Sequence, residues 1–158
     1  MILVDSSVWI DYFNGRKTDK TDWLDYAIGK EQIIIGDLIL TEILQGFQSD
    51  HDFKTAKDLL LNFPFMEMVG QELAIKSALN YRFLRKNGVT VRKTIDIMIG
   101  TFCIHYQCSL LHDDRDFEPM EKYLRLKTIL TCSSEKEGRS GKVNPEIMDH
   151  KFKRGRKI

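Results

Sequence analysis

The sequence lacks several features that would place a protein in a membrane or outside the cell. No apolar run in its 158 residues approaches the roughly 18 residues that a membrane-spanning helix needs. The amino terminus has neither a basic region nor a cleavage-site pattern, so no secretory signal is expected. The three cysteines, Cys103, Cys108 and Cys132, are odd in number and have no CxxC spacing, which favours reduced thiols over disulfides or a zinc site. These absences predict a cytoplasmic protein with no membrane association.

The chain also has little net charge, because 24 Lys and Arg balance 23 Asp and Glu. The charges are nevertheless distributed unevenly between two regions of the chain. Residues 1–130 hold 16 basic and 19 acidic side chains, whereas residues 131–158 hold 8 and 4. An acidic body is not typical of a protein that binds nucleic acid by charge alone. We predict one domain over residues 1–130 and a basic tail over residues 131–158 that is flexible or bound to a partner.

Short aliphatic segments alternate with longer amphipathic segments. Strands are predicted at residues 2–4, 33–35, 65–69 and 109–111, with a closing strand over residues 124–130. Helices are predicted at residues 6–13 (with Ser6 as the N-cap), 23–30, 37–47, 52–61, 71–86 and 94–106. This alternation is typical of an α/β fold with a mainly parallel sheet, in which functional groups lie beyond the carboxyl ends of the strands.

Acidic side chains occur where an apolar core is expected. Asp5 directly follows the first strand, Glu42 lies within LILTEILQG, and Asp96 lies within TIDIMIG. The segment SLLHDDRDF places three more aspartates after an aliphatic strand: Asp113, Asp114 and Asp116. In a parallel sheet, positions of this kind can converge on one cleft.

Carboxylates that converge need a proton or a cation between them. Two unit charges about 4 Å apart repel by about 4 kcal/mol at an effective dielectric constant near 20. A site of oxygen ligands without histidine or thiolate suits Mg²⁺ or Mn²⁺, and such ions activate water for phosphodiester hydrolysis. Taken singly, each acid could instead be a helix cap, a first-turn acid or a turn residue. The residues alone leave both interpretations open.

Four motifs, in the order MILVDSSVWIDYF, LTEILQG, RKTIDIMIGTFC and LLHDDRDF, resemble those of PIN-domain ribonucleases of the VapC toxin type. The resemblance covers residues 1–130. It implies a three-layer α/β/α PIN fold and RNA cleavage that depends on Mg²⁺, with Mn²⁺ as an alternative ion. It also implies inhibition by a VapB-type antitoxin and assembly as a homodimer.

The resemblance assigns roles to individual acids. It implies that the catalytic acids are Asp5, Glu42, Asp96 and Asp114, and that all of these except Glu42 are metal ligands. Asp113 stands where the family commonly has Asn, so the identity of the fourth acid stays open among the three aspartates of the last motif.

Other residues receive auxiliary or binding roles from the same resemblance. Ser6 and Asp116 are auxiliary candidates, and helix capping is an equal alternative for Ser6. The arginines near the third and fourth motifs are candidates for contact with RNA phosphates or with the antitoxin: Arg82, Arg85 and Arg115.

Two rival functions fit parts of the pattern. A PIN module without catalytic activity could serve only to bind RNA or protein, although all four acids are present. A phosphatase of the haloacid dehalogenase type also begins with an aspartate at the end of a strand. That class has an acid or a threonine two residues later, where this chain has Ser7.

Overall fold

A computed structural model of the chain describes residues 1–131. The predicted basic tail lies outside the described residues except for Thr131. In the part of the chain that is described, no helix is both long and apolar enough to cross a membrane.

The centre of the fold is a four-stranded parallel sheet. Its strands are β1 (Ile2–Val4), β2 (Ile33–Gly36), β3 (Phe65–Met66) and β4 (Ser109–Leu111), in the order β3-β2-β1-β4. Leu3 of β1 pairs with Ile34 on one side and with Leu110 on the other. All residues of β1 and β2 are buried, as expected for strands that are covered on both faces. The predicted α/β fold with a parallel sheet is confirmed.

Two groups of helices cover the sheet. The first group contains α1 (Ser6–Phe13), α2 (Asp19–Ala27), α3 (Asp37–Leu44) and α4 (Asp50–Leu60). Helix α1 contacts both α2 and α3, and α3 also contacts α4. The second contains α5 (Gln71–Lys86), α6 (Thr94–Tyr106) and α7 (Glu118–Leu124), with a 3₁₀ turn at Arg115–Phe117. This arrangement gives the predicted α/β/α layers.

Three predicted helices, at residues 6–13, 71–86 and 94–106, have the predicted bounds. The predicted N-cap of the first is wrong, because Asp5 rather than Ser6 occupies that position. The second helix begins at Asp19, four residues before its predicted start. There, Thr18 and Thr21 form reciprocal capping hydrogen bonds that the apolar pattern does not reveal.

The predicted closing strand over residues 124–130 is also wrong. Helix α7, which was not predicted, ends at Leu124, and Arg125 follows in a left-handed conformation with φ of 59°. After this turn the chain meets β4 over a short distance: Thr128 forms an isolated bridge with Leu110, which exchanges backbone hydrogen bonds with Lys127 and Ile129. The predicted strand at residues 65–69 is similarly reduced to the two residues of β3.

Candidate active site

The acidic motifs meet at the carboxyl ends of β1 and β4. These ends are aligned by the pairing of Val4 with Leu111, and the Asp5 amide donates a hydrogen bond to the Leu111 carbonyl at 2.9 Å. Helix α1 starts directly after β1, while the last acidic motif follows β4. The helix α6 begins nearby and supplies Asp96, which has a carboxylate oxygen within 4.8 Å of one from Asp114. The sheet register thus brings separate motifs to one edge.

Asp5 is buried, with 5% of its surface exposed, and is the N-cap of α1. Its Oδ2 accepts hydrogen bonds from the Ser7 amide at 3.0 Å and from Ser7 Oγ at 2.5 Å. Burial raises the pKa of Asp5, and the two bonds from Ser7 oppose that rise. Ser7 Oγ also accepts a bond from the Asp113 amide at 3.3 Å, so this hydroxyl connects the first and last acidic motifs.

Glu42 lies on α3 and is half-buried. Its Oε2 accepts a hydrogen bond from Ser6 Oγ at 2.9 Å. Burial raises the pKa of Glu42, the Ser6 bond lowers it, and the nearby charge of Asp5 raises it further. The Ser6 hydroxyl therefore supports a predicted catalytic acid rather than capping the helix.

Asp96 lies in the first turn of α6 and is 5% exposed. Its Oδ2 is buried, and no group among residues 1–131 donates a hydrogen bond to it. Burial raises the pKa of Asp96 to about 7; Lys93 opposes this rise, while the charges of other acids, led by Asp114, add to it. A buried carboxylate oxygen without a donor is costly unless a proton or a cation compensates it.

Asp114 and Asp116 complete an oxygen cluster with Asp96. One carboxylate oxygen from each of the three lies within 4.8 Å of the others. Asp114 Oδ1 accepts a hydrogen bond from the Asp116 amide at 3.0 Å, and its Oδ2 accepts one from Lys93 Nζ at 3.2 Å. The Asp116 amide bond is the main cause that lowers the pKa of Asp114, and Lys93 lowers it further. Three convergent carboxylates with one orphaned oxygen fit a hard divalent cation.

Asp113, the third candidate in the last motif, has a different environment. Its carboxylate forms an ion pair with Lys20 of α2, and its side chain is 53% exposed. The neighbours Asp114 and Asp116 join the oxygen cluster, whereas Asp113 is not part of it. The structure therefore places Asp116, predicted only as an auxiliary residue, together with Asp96 and Asp114.

The sequence motifs did not identify Lys93, a cation that contacts the cluster through Asp114. Lys93 occupies the N-cap position of α6, three residues before Asp96, and its bond to Asp114 raises the pKa of its ammonium group. The spacing of Lys93 and Asp96 in RKTID was the sequence feature that could have predicted a cation beside the acids. The predicted contact residues are all exposed, two in the last turns of α5 and one in the 3₁₀ turn: Arg82, Arg85 and Arg115.

Comparison with known proteins supports the family suggested by these motifs. The profile of the family described as PIN domain matches residues 2–123. Two relatives, VapC ribonuclease Mb1587 of Mycobacterium bovis and Ribonuclease VapC11 of Mycobacterium tuberculosis, are each 28% identical over 130 residues, which cover 80% of this chain and 96% of the relative. In the structure of VapBC2 from Rickettsia felis, bound to a DNA fragment from their promoter, one chain aligns with a TM-score of 0.66 at 13% identity, over 82% of this chain and 98% of that chain.

The family profile spans all four acidic motifs, from the strand before Asp5 to the helix after Asp116. The Rickettsia structure, at its low identity, independently supports the fold alone. The chain belongs to the PIN-domain family.

Proposed function

We propose that this protein is a ribonuclease that depends on a divalent metal and acts as the toxin of a toxin–antitoxin pair. The observation that carries the proposal is the orphaned, buried Oδ2 of Asp96 within an oxygen cluster that includes Asp114 and Asp116. Membership of the PIN-domain family and two relatives that are named ribonucleases support RNA as the substrate.

Asp96 and Asp114 are the proposed central ligands of Mg²⁺ or Mn²⁺, with Asp5 and Asp116 as the flanking acids. When bound, such an ion supplies a Lewis acid that activates water and stabilises charge on the phosphate. Glu42, held by Ser6, lies with these acids in one acidic cleft, and burial raises its pKa, which favours a proton on this carboxyl group that it can donate.

The basic groups around this cleft provide for binding of the RNA backbone. Lys93 donates a hydrogen bond to Asp114 of the oxygen cluster, and Arg115, the next residue along the chain, is exposed. An acidic cleft repels phosphates, so cations at its border are needed to hold them next to the acids. Arg82 and Arg85 are the more distant candidates.

We further propose that an antitoxin of the VapB type inhibits the enzyme by placing an arginine in the acidic cleft. The support is that similar folds occur in structures described as VapBC assemblies from Rickettsia felis and Salmonella typhimurium. A complex that leaves Asp5, Asp96 and Asp114 uncovered would contradict this mode of inhibition. We also propose a homodimer, a cytoplasmic location and a PIN domain that spans residues 1–130.

The test is cleavage of total RNA by the antitoxin-free chain with Mg²⁺, with Mn²⁺ and with EDTA. Asp96→Asn should abolish cleavage, whereas Asp113→Asn should retain it because that carboxylate pairs with Lys20 outside the cluster. Circular dichroism establishes that each variant is folded. Metal-independent cleavage, or equal activity of Asp96→Asn and the wild type, would contradict the proposal. Absence of cleavage by the folded wild type would favour the binding module.

A further inference from the structure

The chain leaves the described domain beside the last acidic motif. Thr128 forms a parallel bridge with Leu110 of β4, and the Ile129 amide donates a hydrogen bond to the Leu110 carbonyl at 2.9 Å. From this bridge the chain therefore starts in the direction in which β4 runs toward its carboxyl end. Asp113 follows Leu110 by three residues. Thr131, the last described residue, follows Thr128 by the same number, so the chain reaches it while approaching the acidic edge of the sheet.

Side chains connect this exit to the acidic motif. Thr128 Oγ1 donates a hydrogen bond to Glu121 Oε2 at 3.2 Å, and Glu121 Oε1 lies 3.1 Å from Nε2 of His112. His112 is the residue before Asp113, and its side chain is only 11% exposed. Glu121 of α7 thus joins the exit of the chain to the start of the last acidic motif, and residues 131–158 begin next to the cleft.

The positive charge of residues 131–158 is concentrated in one short stretch. Residues 131–150 hold three basic and four acidic side chains. Residues 151–157 (KFKRGRK), which we call the basic segment, hold five basic side chains and no acid. The basic segment lies outside the described residues, and its sequence, a cationic run with one aromatic residue, is typical of an arm that binds nucleic acid. The net positive charge of the chain comes entirely from this segment, because residues 1–130 hold 16 basic and 19 acidic side chains.

Two of the cations beside the last acidic motif are committed to carboxylates. Lys20 pairs with Asp113, and Lys93 pairs with Asp114. Arg115 is exposed there, but the domain as a whole carries a net negative charge. An RNA backbone brings one negative charge with each nucleotide, so its affinity for such a domain depends on additional cations.

We infer that the basic segment binds the backbone of RNA next to the acidic cleft and supplies most of the electrostatic affinity for the substrate. Lys151 is twenty residues after Thr131, which corresponds to at most about 70 Å of extended chain. A domain of this size has a radius of gyration of about 14 Å, so the segment can reach RNA that lies in the cleft. Attachment beside the cleft also raises the local concentration of the segment around bound RNA. The inference rests on the proposed ribonuclease function and identifies what holds its substrate.

The first test measures binding of a fluorescein-labelled oligouridylate of about 20 nucleotides by fluorescence anisotropy. All chains are full length and carry Asp96→Asn, so that the probe is not cleaved. Neutralisation of the basic segment should raise Kd at least 10-fold in 0.1 M KCl. The slope of log affinity against log salt concentration should become shallower by about 2 to 4, because each phosphate contact to a single strand contributes about 0.7. The neutralised chain carries five substitutions: Lys151→Gln, Lys153→Gln, Arg154→Gln, Arg156→Gln and Lys157→Gln.

Two matched controls separate charge from other effects of substitution. Exchange of Lys for Arg and of Arg for Lys at the same five positions conserves the charge, so Kd and the salt slope should stay near those of the unsubstituted segment. Neutralisation of the basic residues in 131–150 should raise Kd by about 3-fold or less, because these cations lie among four acids. That control carries Lys136→Gln, Arg139→Gln and Lys142→Gln.

The second test compares cleavage in Mg²⁺ by chains that retain Asp96, on an RNA that the wild type cuts. Neutralisation of the basic segment should raise KM at least 10-fold in 0.1 M KCl. The value of kcat should stay within about 2-fold, because the segment binds the backbone and touches no reacting atom. The difference in KM should shrink in 0.5 M KCl, since salt weakens phosphate contacts.

Two results would overturn the inference. Unchanged RNA affinity after neutralisation would mean that the basic segment does not bind the substrate and serves another partner, such as an antitoxin. Tighter RNA binding or faster cleavage by the neutralised chain would mean that the segment occupies the acidic cleft and competes with RNA. Either result leaves the ribonuclease proposal intact. A wild-type chain that binds the oligouridylate through the basic segment but cleaves no RNA would contradict the ribonuclease proposal alone.

Discussion

The two sides of the acidic cleft differ in how their carboxylates are satisfied. On the α1 side, Asp5 and Glu42 each accept a hydrogen bond from a serine hydroxyl in the first turn of α1. On the α6 side, Asp96 has a buried oxygen for which residues 1–131 provide no donor. Its nearest acids, Asp114 and Asp116, bring more negative charge instead.

This contrast indicates on which side of the cleft a bound cation would compensate carboxylate oxygens that lack donors. Hydroxyl and amide donors stabilise a carboxylate without neutralising it, which suits acids that must keep a defined orientation. The α6 side offers oxygen atoms without enough donors, and Lys93 is the cation that binds there, through Asp114. We therefore expect metal binding to depend most strongly on the α6 side, and the following predictions test that difference.

The largest expected effect is on metal affinity. Asp96→Asn should weaken Mn²⁺ binding at least 100-fold, because it removes the charge of a buried ligand, and loss of even a supporting residue costs about 10- to 100-fold. Glu42→Gln should weaken it about 10-fold or less, because Glu42 is held by Ser6 on the other side of the cleft. Electron paramagnetic resonance of free Mn²⁺ measures both constants. Equal losses of Mn²⁺ affinity in the two variants would contradict the expectation that metal binding depends more strongly on the α6 side of the cleft.

The pH dependence of stability should show the same difference. The pKa of Asp96 rises from an ordinary value of 3.8 to about 7, so the folded metal-free protein holds a proton that the unfolded chain releases. Its free energy of unfolding should therefore fall as pH rises from about 5 to about 8, by up to about 3 kcal/mol from this group.

Chemical denaturation in EDTA at pH 5.5 and pH 8.0 measures this change. Asp96→Asn should flatten the dependence, and Mg²⁺ should stabilise the wild type at pH 8.0 but not the variant. A metal-free wild type that is more stable at pH 8.0 than at pH 5.5 would contradict the assigned state of Asp96.

Much of the fold follows from local sequence patterns. The all-aliphatic segments at residues 2–4 and 33–35 become strands, since residues of this type are stable when buried on both faces. Helix α5 stops where Asn87 and Gly88 follow it, a sequence typical of a helix end. The strand predicted over residues 124–130 failed because its outcome depends on the left-handed turn at Arg125 and on packing against α7.

The candidate site was only partly predictable for a related reason. A motif indicates that Asp113, Asp114 and Asp116 lie together along the chain, but it does not determine which carboxylate faces the cleft. That choice depends on Lys20, 93 residues away, which pairs with Asp113. The roles of Ser6 and Ser7 likewise depend on which acid each hydroxyl can reach in three dimensions, a contact that one sequence does not specify.

Smaller effects are expected from the two serines of α1. Ser7→Ala should lower the free energy of unfolding by about 2 kcal/mol, because its hydroxyl binds the buried carboxyl group of Asp5 and also accepts the Asp113 amide. Ser6→Ala should cost about 1 kcal/mol, because Glu42 is only half-buried. Urea denaturation with a threonine variant at each position as the control measures both. A larger loss for Ser6→Ala would reverse the proposed ranking of these contacts.

The smallest expected effect concerns Lys93. Lys93→Gln should strengthen Mn²⁺ binding by about 5-fold, because it removes a cation that competes for Asp114. The Lys93 side chain is 61% exposed, so its ion pair with Asp114 is worth about 1 kcal/mol at most. Lys20→Gln is the matched control, because its partner Asp113 lies outside the oxygen cluster. Weaker binding in Lys93→Gln would mean that the ammonium group orients Asp114 for the ion. The difference between the two sides of the cleft would then be one of geometry rather than of uncompensated charge.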